Sequence, residues 1–455
     1  MITFTNLTRE NEIGANSYLF EIGDTKFVMD AGMHPKKDGK DALPHYELTG
    51  EHQLRAIIVT HAHQDHVGTL PVLQRRHPHT PVFMTEATQK ISEIMLHNSV
   101  NVMGSKKEEL GIPDYPFYTH REIDDATAHW VDVSVGRKWY LPTQENETDI
   151  TAEFFNAGHI LGSVGVLIEA EGQKIFYTGD VNFRDQTLST GAEFPESGID
   201  TLILETTRGD SPEEPGFLRA DEEDRFAKAI DQALAKGKCV LIPVFALGKT
   251  QEVMAMIYRF RQEGKIGQQQ LYIGGLSTKI TEVHDALKND WPRNYPGLSL
   301  YEATAAMTLN GRNIDDAPVN KPYIYAISSG MMTEKTLSNA FARRVLPEPD
   351  CSVFFVGYAD PESPGGKLRA TPPGGMVQLE EGKPDVQLLA DVQEFNFSAH
   401  APREHLLEYA VKLAPKQIVL VHGDPSSMEW FQKELSAALP NCKIIIPPPG
   451  QPISL

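Results

Sequence analysis

Four metal-binding side chains fall within six consecutive residues, His61-Ala62-His63-Gln64-Asp65-His66, and few folded settings tolerate that density except a metal site. The run follows Ala56 to Thr60, which reads as a short buried strand, and precedes Val67 to Arg76, whose apolar spacing suits a helix. The cluster is therefore expected on a strand-to-helix turn. Such a turn can aim the imidazoles of His61 and His63 at one ion and present Asp65 with His66 to a second. Neutral imidazole and carboxylate are the ligands of zinc sites that keep a position open for water.

At 455 residues the chain exceeds what one core usually organises, so two lobes are expected. The first ~60 residues carry a hairpin, Ser17 to Ile22 and Lys26 to Met29 across a Gly23-Asp24 turn, ending at Asp30. Pro81 to Met84 reads as a strand and Glu86 to His97 as a helix capped by Thr85. The stretch from Asn98 to Thr151 has a weaker, aromatic-rich pattern and is read as a connection. Strand character returns at Ile175 to Thr178 and at Thr201 to Leu204. The acidic, turn-rich run Gly209 to Gly216 then marks a lobe boundary. Beyond it, strands at 239–245, 271–273, 323–327 and 352–356 alternate with helical segments, which means a mainly parallel sheet covered by helices. The last segment, helix 404–413, strand 417–421 and helix 427–439, reads as a return to the first lobe, with His422 at a strand tip.

Composition narrows the function classes. The charge is −20, from 42 Lys and Arg against 62 Asp and Glu, which excludes a protein coated for non-specific nucleic-acid binding. An anionic polymer would need a local basic path. No segment approaches the ~20 apolar residues of a membrane span, and the first residues lack a leader pattern, so a cytoplasmic protein is expected. Cys239, Cys351 and Cys442 are odd in number and set mostly in apolar runs, so buried reduced thiols are expected.

Residues far along the chain can complete the metal site. His159 follows a strand-like run between Gly158 and Gly162, which permit close backbone approach to an ion. Asp180 can give one oxygen to each of two ions. A zinc pair ~3.5–4 Å apart would clamp the attacking and leaving oxygens of a phosphoester. Taken singly, His159 and His422 would more often be hydrogen-bonded structural histidines, and it is the 61–66 cluster that favours them as ligands.

These residues stand in an order that resembles the metallo-β-lactamase-fold nucleases of the β-CASP group, relatives of RNase J and of the endonuclease of pre-mRNA 3′-end processing. Asp30, the 61–66 run, His159 and Asp180 match four motifs in order. Glu205, His400 and His422 match the three β-CASP motifs, and Pro243 to Glu252 and Ser328 to Met331 match further ones. The resemblance implies an α/β protein: an αββα sandwich over 1–209 and 393–455, interrupted by a β-CASP lobe over 210–392. It implies two zinc ions, one held by His61, His63 and His159 and the other by Asp65, His66 and His422, with Asp180 bridging. It implies that Asp30 orients a ligand, and that His400, oriented by Glu205, gives a proton to the departing oxygen; with Asp65 these make the catalytic set. Ser328, Ser329, Gly330 and Lys249 are the candidates for phosphate contacts, although a plain turn explains 328–331 nearly as well. Family members that cut RNA have histidine at the last motif, so His422 favours an RNA substrate. The expected function is therefore a zinc-dependent ribonuclease acting on single-stranded RNA, without a membrane partner and with self-association left open. The alternatives are a hydrolase of small phosphodiesters or esters and a non-catalytic processing subunit. The chain departs from the family pattern at Pro402, at Lys249, at Thr333 and in the run Arg208 to Pro212 after Glu205.

Overall fold

The computed structural model describes residues 2–51, 53–143 and 149–455. Two compact units emerge, one from Met1–Asp185, Gly191–Glu213 and His400–Leu455, the other from Gln186–Thr190 and Glu214–Ala399. Among the described residues no helix is long and apolar enough to cross a membrane.

The first unit holds two seven-stranded sheets. One runs Pro452–Ser454, Ile2–Asn6, Tyr18–Ile22, Thr25–Met29, Leu54–Ile58, Val82–Met84, Trp130–Asp132. The other runs Lys443–Ile445, Gln417–Val421, Thr201–Glu205, Gln173–Tyr177, Val164–Ala170, Thr151–Asn156, Lys138–Tyr140. The expected hairpin pairs Tyr18–Ile22 with Thr25–Met29, in register Ile22 to Thr25. Strand alternation gives each sheet two apolar faces. Inner faces meet through Tyr18 against Tyr177, ring centroids 5.4 Å apart, and Phe83 against Trp139 at 5.8 Å. Helices cover the outer faces. Leu70 and Leu73 pack with Val28, Ile57 and Val59 on the first sheet. Leu406, Ala410, Phe431 and Leu435 pack with Leu202, Leu204, Ile418 and Leu420 on the second. The result is the αββα sandwich.

In the second unit every pairing of a six-stranded sheet is parallel, in the order Met307–Leu309, Leu271–Gly274, Ile324–Ile327, Val240–Pro243, Ser352–Phe355, Asp391–Glu394. A parallel sheet needs cover on both sides. Val240 and Ile242 face one core with Phe226, Val253 and Ile257, and Leu241 faces another with Phe341, Leu346 and Val353.

Four boundaries differ from the sequence reading, the smallest being residues 210–213, expected in the second lobe, which stay with the first unit, where Asp210 N–H donates to Ser427 Oγ (3.1 Å). Residues 393–399, expected in the first lobe, belong to the second unit, where Phe395 and Phe397 pack against Phe226 at inclined angles, with centroids 4.8 and 5.4 Å away. Residues 186–190 also join it, since the Glu252 carboxylate accepts the backbone N–H groups of Thr187, Leu188 and Ser189. The helix begun at Glu86 continues to Leu110, and the following stretch holds a further helix, His120–Thr127, opened by a capping box of Thr119 and Glu122. Weak intrinsic preference at Asn98 to Asn101 is overridden by buried Leu96, Val100 and Met103 packing with Tyr115, Phe117 and Ile123. The thiols of Cys239 and Cys351 are buried 3.6 Å apart, and all three cysteines are free.

Phe226 is fully buried among four other phenylalanines, so Phe226→Ala is expected to cost the second unit about 3–5 kcal/mol. Denaturant unfolding followed by circular dichroism measures this; a loss below ~1 kcal/mol would show that the site collapses around the smaller side chain.

Candidate metal centre

The site is assembled at strand ends of the first unit. Leu54–Ile58 is followed by Thr60 and the clustered histidines, and the short helix Gln64–Val67 starts immediately after His63. The turn is pinned from the side: Ala31 N–H donates to His66 O (2.7 Å), Met33 N–H to Gln64 O (2.9 Å) and Asn16 N–H to Asp65 O (2.9 Å). Gly32 is required there, since a Cβ at that position would lie 1.8 Å from the Asp65 carbonyl oxygen.

Two clusters of donor atoms result. In the first, His63 Nδ1 lies 3.2 Å from His61 Nε2 and 3.1 Å from His159 Nε2. In the second, His422 Nε2 lies 3.3 Å from His66 Nε2 and 3.3 Å from Asp65 Oδ2. Asp180 joins both. Its Oδ2 is 3.5 Å from His61 Nε2 and 3.7 Å from His159 Nε2, while Oδ1 is 3.4 Å from His66 Nε2 and 3.3 Å from His422 Nδ1.

Three of the histidines are each held at Nδ1 by a neighbouring side chain. Asp30 Oδ2 is 2.8 Å from His66 Nδ1, Thr60 Oγ1 is 3.1 Å from His61 Nδ1, and Thr207 Oγ1 is 2.8 Å from His422 Nδ1. This is how proteins set the tautomer and ring plane of metal-ligating histidines. Asp30 is itself held, by the Thr60 backbone N–H (2.8 Å), the Thr60 hydroxyl and the Tyr177 hydroxyl (3.0 Å). Sequence reasoning missed Thr60, Tyr177, Thr207 and Asn16, the last of which donates to Asp65 O at 3.1 Å. Only Thr60, beside the cluster, offered a local signal.

The donor set fits a metal. Nitrogens 3.1–3.3 Å apart match the edge of a shell with metal–nitrogen bonds of about 2.0–2.1 Å, whose tetrahedral edge is ~3.3 Å. Asp180 Oδ1 is buried with no hydrogen-bond partner, a costly state unless a cation shares the space. Burial drives His61 well below the usual histidine range and His63 down to about 4, so both are neutral donors. Burial alone would raise Asp65 and Asp180, but His422 and His66 outweigh it and both carboxylates stay ionised. Burial likewise lowers His66, and Asp180 and Asp30 overcome it, so positive charge is favoured at that spot.

Beside the clusters stands a second pair. Glu205, fully buried at the end of Thr201–Glu205, accepts the Val181 N–H on Oε1 (3.0 Å) and the Thr207 N–H on Oε2 (3.1 Å). Its Oε1 is also 3.3 Å from His400 Nδ1. The opposite nitrogen, His400 Nε2, is 4.0 Å from Asp180 Oδ2. Burial lowers the His400 pKa, and Glu205 and Asp180 more than reverse this, which favours a protonated ring.

The four residues expected at phosphate lie in the second unit and are engaged there. The Lys249 ammonium is buried and donates to the Phe397 carbonyl, and burial depresses its pKa to about 7. Ser328 Oγ donates to Gly274 O (3.0 Å), Ser329 Oγ accepts the Thr333 N–H (2.9 Å), and Gly330 abuts Phe245. Each of these groups has its neighbours within that unit.

An αββα sandwich with two histidine–carboxylate clusters sharing one aspartate is a frame that could hold a pair of metal ions. The family models agree: residues 11–231 match the metallo-beta-lactamase superfamily, 250–368 the Beta-Casp domain, and 385–447 the Zn-dependent metallo-hydrolase RNA specificity domain. The chain belongs to the metallo-β-lactamase superfamily, in the branch that carries a Beta-Casp domain. Members of this superfamily hold divalent metal, typically zinc. Similar proteins include endoribonuclease YSH1 of Saccharomyces cerevisiae, 27% identical over 95% of this chain and 56% of that one. Transcription termination factor FttA of Pyrococcus abyssi is 28% identical over 93% of this chain and 67% of its own. Cleavage and polyadenylation specificity factor 73 of Drosophila melanogaster is 27% identical over 93% and 60%. The chain thus spans little more than half the length of the YSH1 relative, 56%. A crystal structure of an Enterococcus faecalis V583 protein of unknown function shares the fold, with a TM-score of 0.59, 14% identity and full coverage of both chains.

Because Asp30 sets the orientation of His66, Asp30→Asn is expected to weaken metal binding about 10–100-fold. Competition with a chromophoric chelator reads this; an affinity equal to wild type would remove Asp30 from the site's support.

Proposed function

We propose that the chain is a dinuclear-zinc phosphodiesterase that cleaves single-stranded RNA. The observation that carries this reading is the shared carboxylate: Asp180 faces both donor clusters, and the Glu205–His400 pair adjoins it. His61, His63 and His159 would hold one ion, Asp65, His66 and His422 the other, with Asp180 common to both. Bound there, a zinc pair supplies Lewis acidity, acidifying water and neutralising charge that builds on the phosphoryl oxygens. The chain's own residues do the rest. His66, His61 and His422 are locked by Asp30, Thr60 and Thr207, so the site needs little reorganisation when it works. His400 turns Nε2 to the edge of the centre while Glu205 holds Nδ1, an arrangement suited to protonating a departing sugar oxygen. RNA as the substrate is supported by the RNA specificity domain match and by relatives named as endoribonucleases. A hydrolase of small phosphodiesters is the second reading, favoured by the charge of −20.

Purified protein is expected to carry close to two zinc ions per chain by elemental analysis, and His63→Ala to lose metal together with all phosphodiesterase activity. Protein never exposed to chelator that holds no metal, with unchanged activity in His63→Ala, would end the dinuclear reading.

His400→Ala is expected to slow RNA cleavage by about 10²–10⁴-fold with metal content unchanged, because a sugar oxygen is too basic to leave unaided. On bis(p-nitrophenyl) phosphate, whose leaving group is already stable, the loss should be far smaller. Equal losses on both substrates would show that His400 does not deliver the proton. Wild-type activity on the aryl diester alone would favour the small-substrate reading.

A further inference from the structure

Two of the three cysteines, neither used by the mechanism above, face each other in the second unit. Cys239 stands immediately before the strand Val240–Pro243 and Cys351 immediately before Ser352–Phe355. These strands are parallel neighbours in register Val240 to Ser352, so the residues that precede them are opposed, and Ser352 N–H donates to Cys239 O (3.1 Å). Alternation along each strand sends both side chains to one face, into a core with Leu241, Val353 and Phe355. The sulfurs lie 3.6 Å apart, and both residues are fully buried.

A buried free cysteine ordinarily serves as a small apolar side chain and needs no second sulfur. Here the pairing geometry goes further. Neighbouring strands lie about 4.7–4.9 Å apart, within the Cα separations of about 4.4–6.8 Å that a disulfide spans. Turning the two side chains therefore closes the sulfurs to the ~2.0 Å of a bond while the strand pairing stays as it is. The cover over the pair is an irregular segment, residues 310–322. Its Val319 carbonyl accepts the Cys239 N–H (3.4 Å) and lies 3.6 Å from Cys351 Sγ, and its Ile314 and Ala317 share the core with both thiols. Arg344 holds the segment down by donating to Ile314 O and Ala317 O (2.7 Å each). Asp315, Asp316 and Asn320 of the same segment are exposed, so a local opening there admits a small oxidant to the sulfurs.

We propose that Cys239 and Cys351 form a reversible disulfide that staples the second unit when a peroxide is present. The step balances with hydrogen peroxide as oxidant. One sulfur, as its thiolate, attacks a peroxide oxygen; the S–O bond forms, the O–O bond breaks, and the departing hydroxide takes up the thiol proton as water. The other sulfur then displaces hydroxide from this sulfenic acid, forming the S–S bond, and its own proton leaves in a second water. Two thiols are oxidised and one peroxide is reduced to two waters. The bond joins positions 112 apart and encloses the strands Leu271–Gly274, Met307–Leu309 and Ile324–Ile327, so it restrains the unfolded chain over most of that unit's sheet. The inference is independent of the RNA reading.

The full chain treated with hydrogen peroxide, quenched with catalase and then unfolded in guanidinium tests it. Free thiols counted with Ellman's reagent should fall from three to one and return to three after dithiothreitol. A digest of the alkylated, oxidised chain should contain the Cys239 peptide joined to the Cys351 peptide. Oxidation should raise Tm by about 5–15 °C, and Cys351→Ala should show neither the joined peptides nor the rise. Three thiols that survive peroxide, sulfinic acid at either position without a cross-link, a cross-link through Cys442 in place of this pair, or a Tm no higher after oxidation would each overturn the proposal and leave the two cysteines as packing.

Discussion

A carboxylate buried without a hydrogen-bond partner on one oxygen costs several kcal/mol unless positive charge shares its space, and Asp180 is in that position. Much of the first unit can be understood as meeting this demand. Gly179, at φ +53°, makes the turn that delivers Asp180 beyond Gln173–Tyr177, where Thr178 N–H is anchored on Ile203 O at 3.0 Å. Val164 N–H donates to Thr60 O at 3.0 Å, which ties the loop bearing His159 to the strand end bearing His61. Around the carboxylate, imidazoles arrive from both sheets, each with a ring nitrogen or its backbone restrained. The same arrangement that makes Asp180 costly alone makes the place selective for a cation.

Strand direction explains why so many residue types with useful chemistry meet. Asp30 and His422 directly follow the last residue of a strand, His61, His159 and Asp180 stand three residues beyond one, and Glu205 is the last residue of its own. Loops at such ends can vary in sequence without disturbing the sheets, and this is where open α/β sheets place their ligands. Arg208 is an instance: the strand Thr201–Glu205 stays apolar up to Glu205, and the departure from the family pattern begins only in the loop.

How much could be read from the sequence depended on distance along the chain. The 61–66 cluster was legible because its donors are neighbours in sequence, and the hairpin and the alternating segments of the second unit were legible because their periodicity is local. His159, Asp180, His400 and His422 had no local mark to separate them from structural polar residues; only their order, shared with a family, set them apart. Tyr177 and Thr207 were not legible at all, since Tyr177 meets Asp30 across 147 positions and Thr207 meets His422 across 215. The helix Glu86–Leu110 was underread because a side-chain cluster contributed by a later segment extends it. Lys249 was a phosphate candidate only through the family motif in which it stands, and its burial against the Phe397 carbonyl carries no mark in the sequence.

The second unit interrupts the first between Glu213 and His400, and that order has a consequence in time. During synthesis His61, His63, His159 and Asp180 leave the ribosome long before His400 and His422 exist. At about 5–20 residues per second the gap between Asp180 and His422 lasts roughly ten to fifty seconds. Through that interval the nascent chain has one donor cluster and two of the three residues of the other, Asp65 and His66, and lacks His400 and His422. A donor site whose last residue is translated after a whole intervening unit is completed only once that unit has been made.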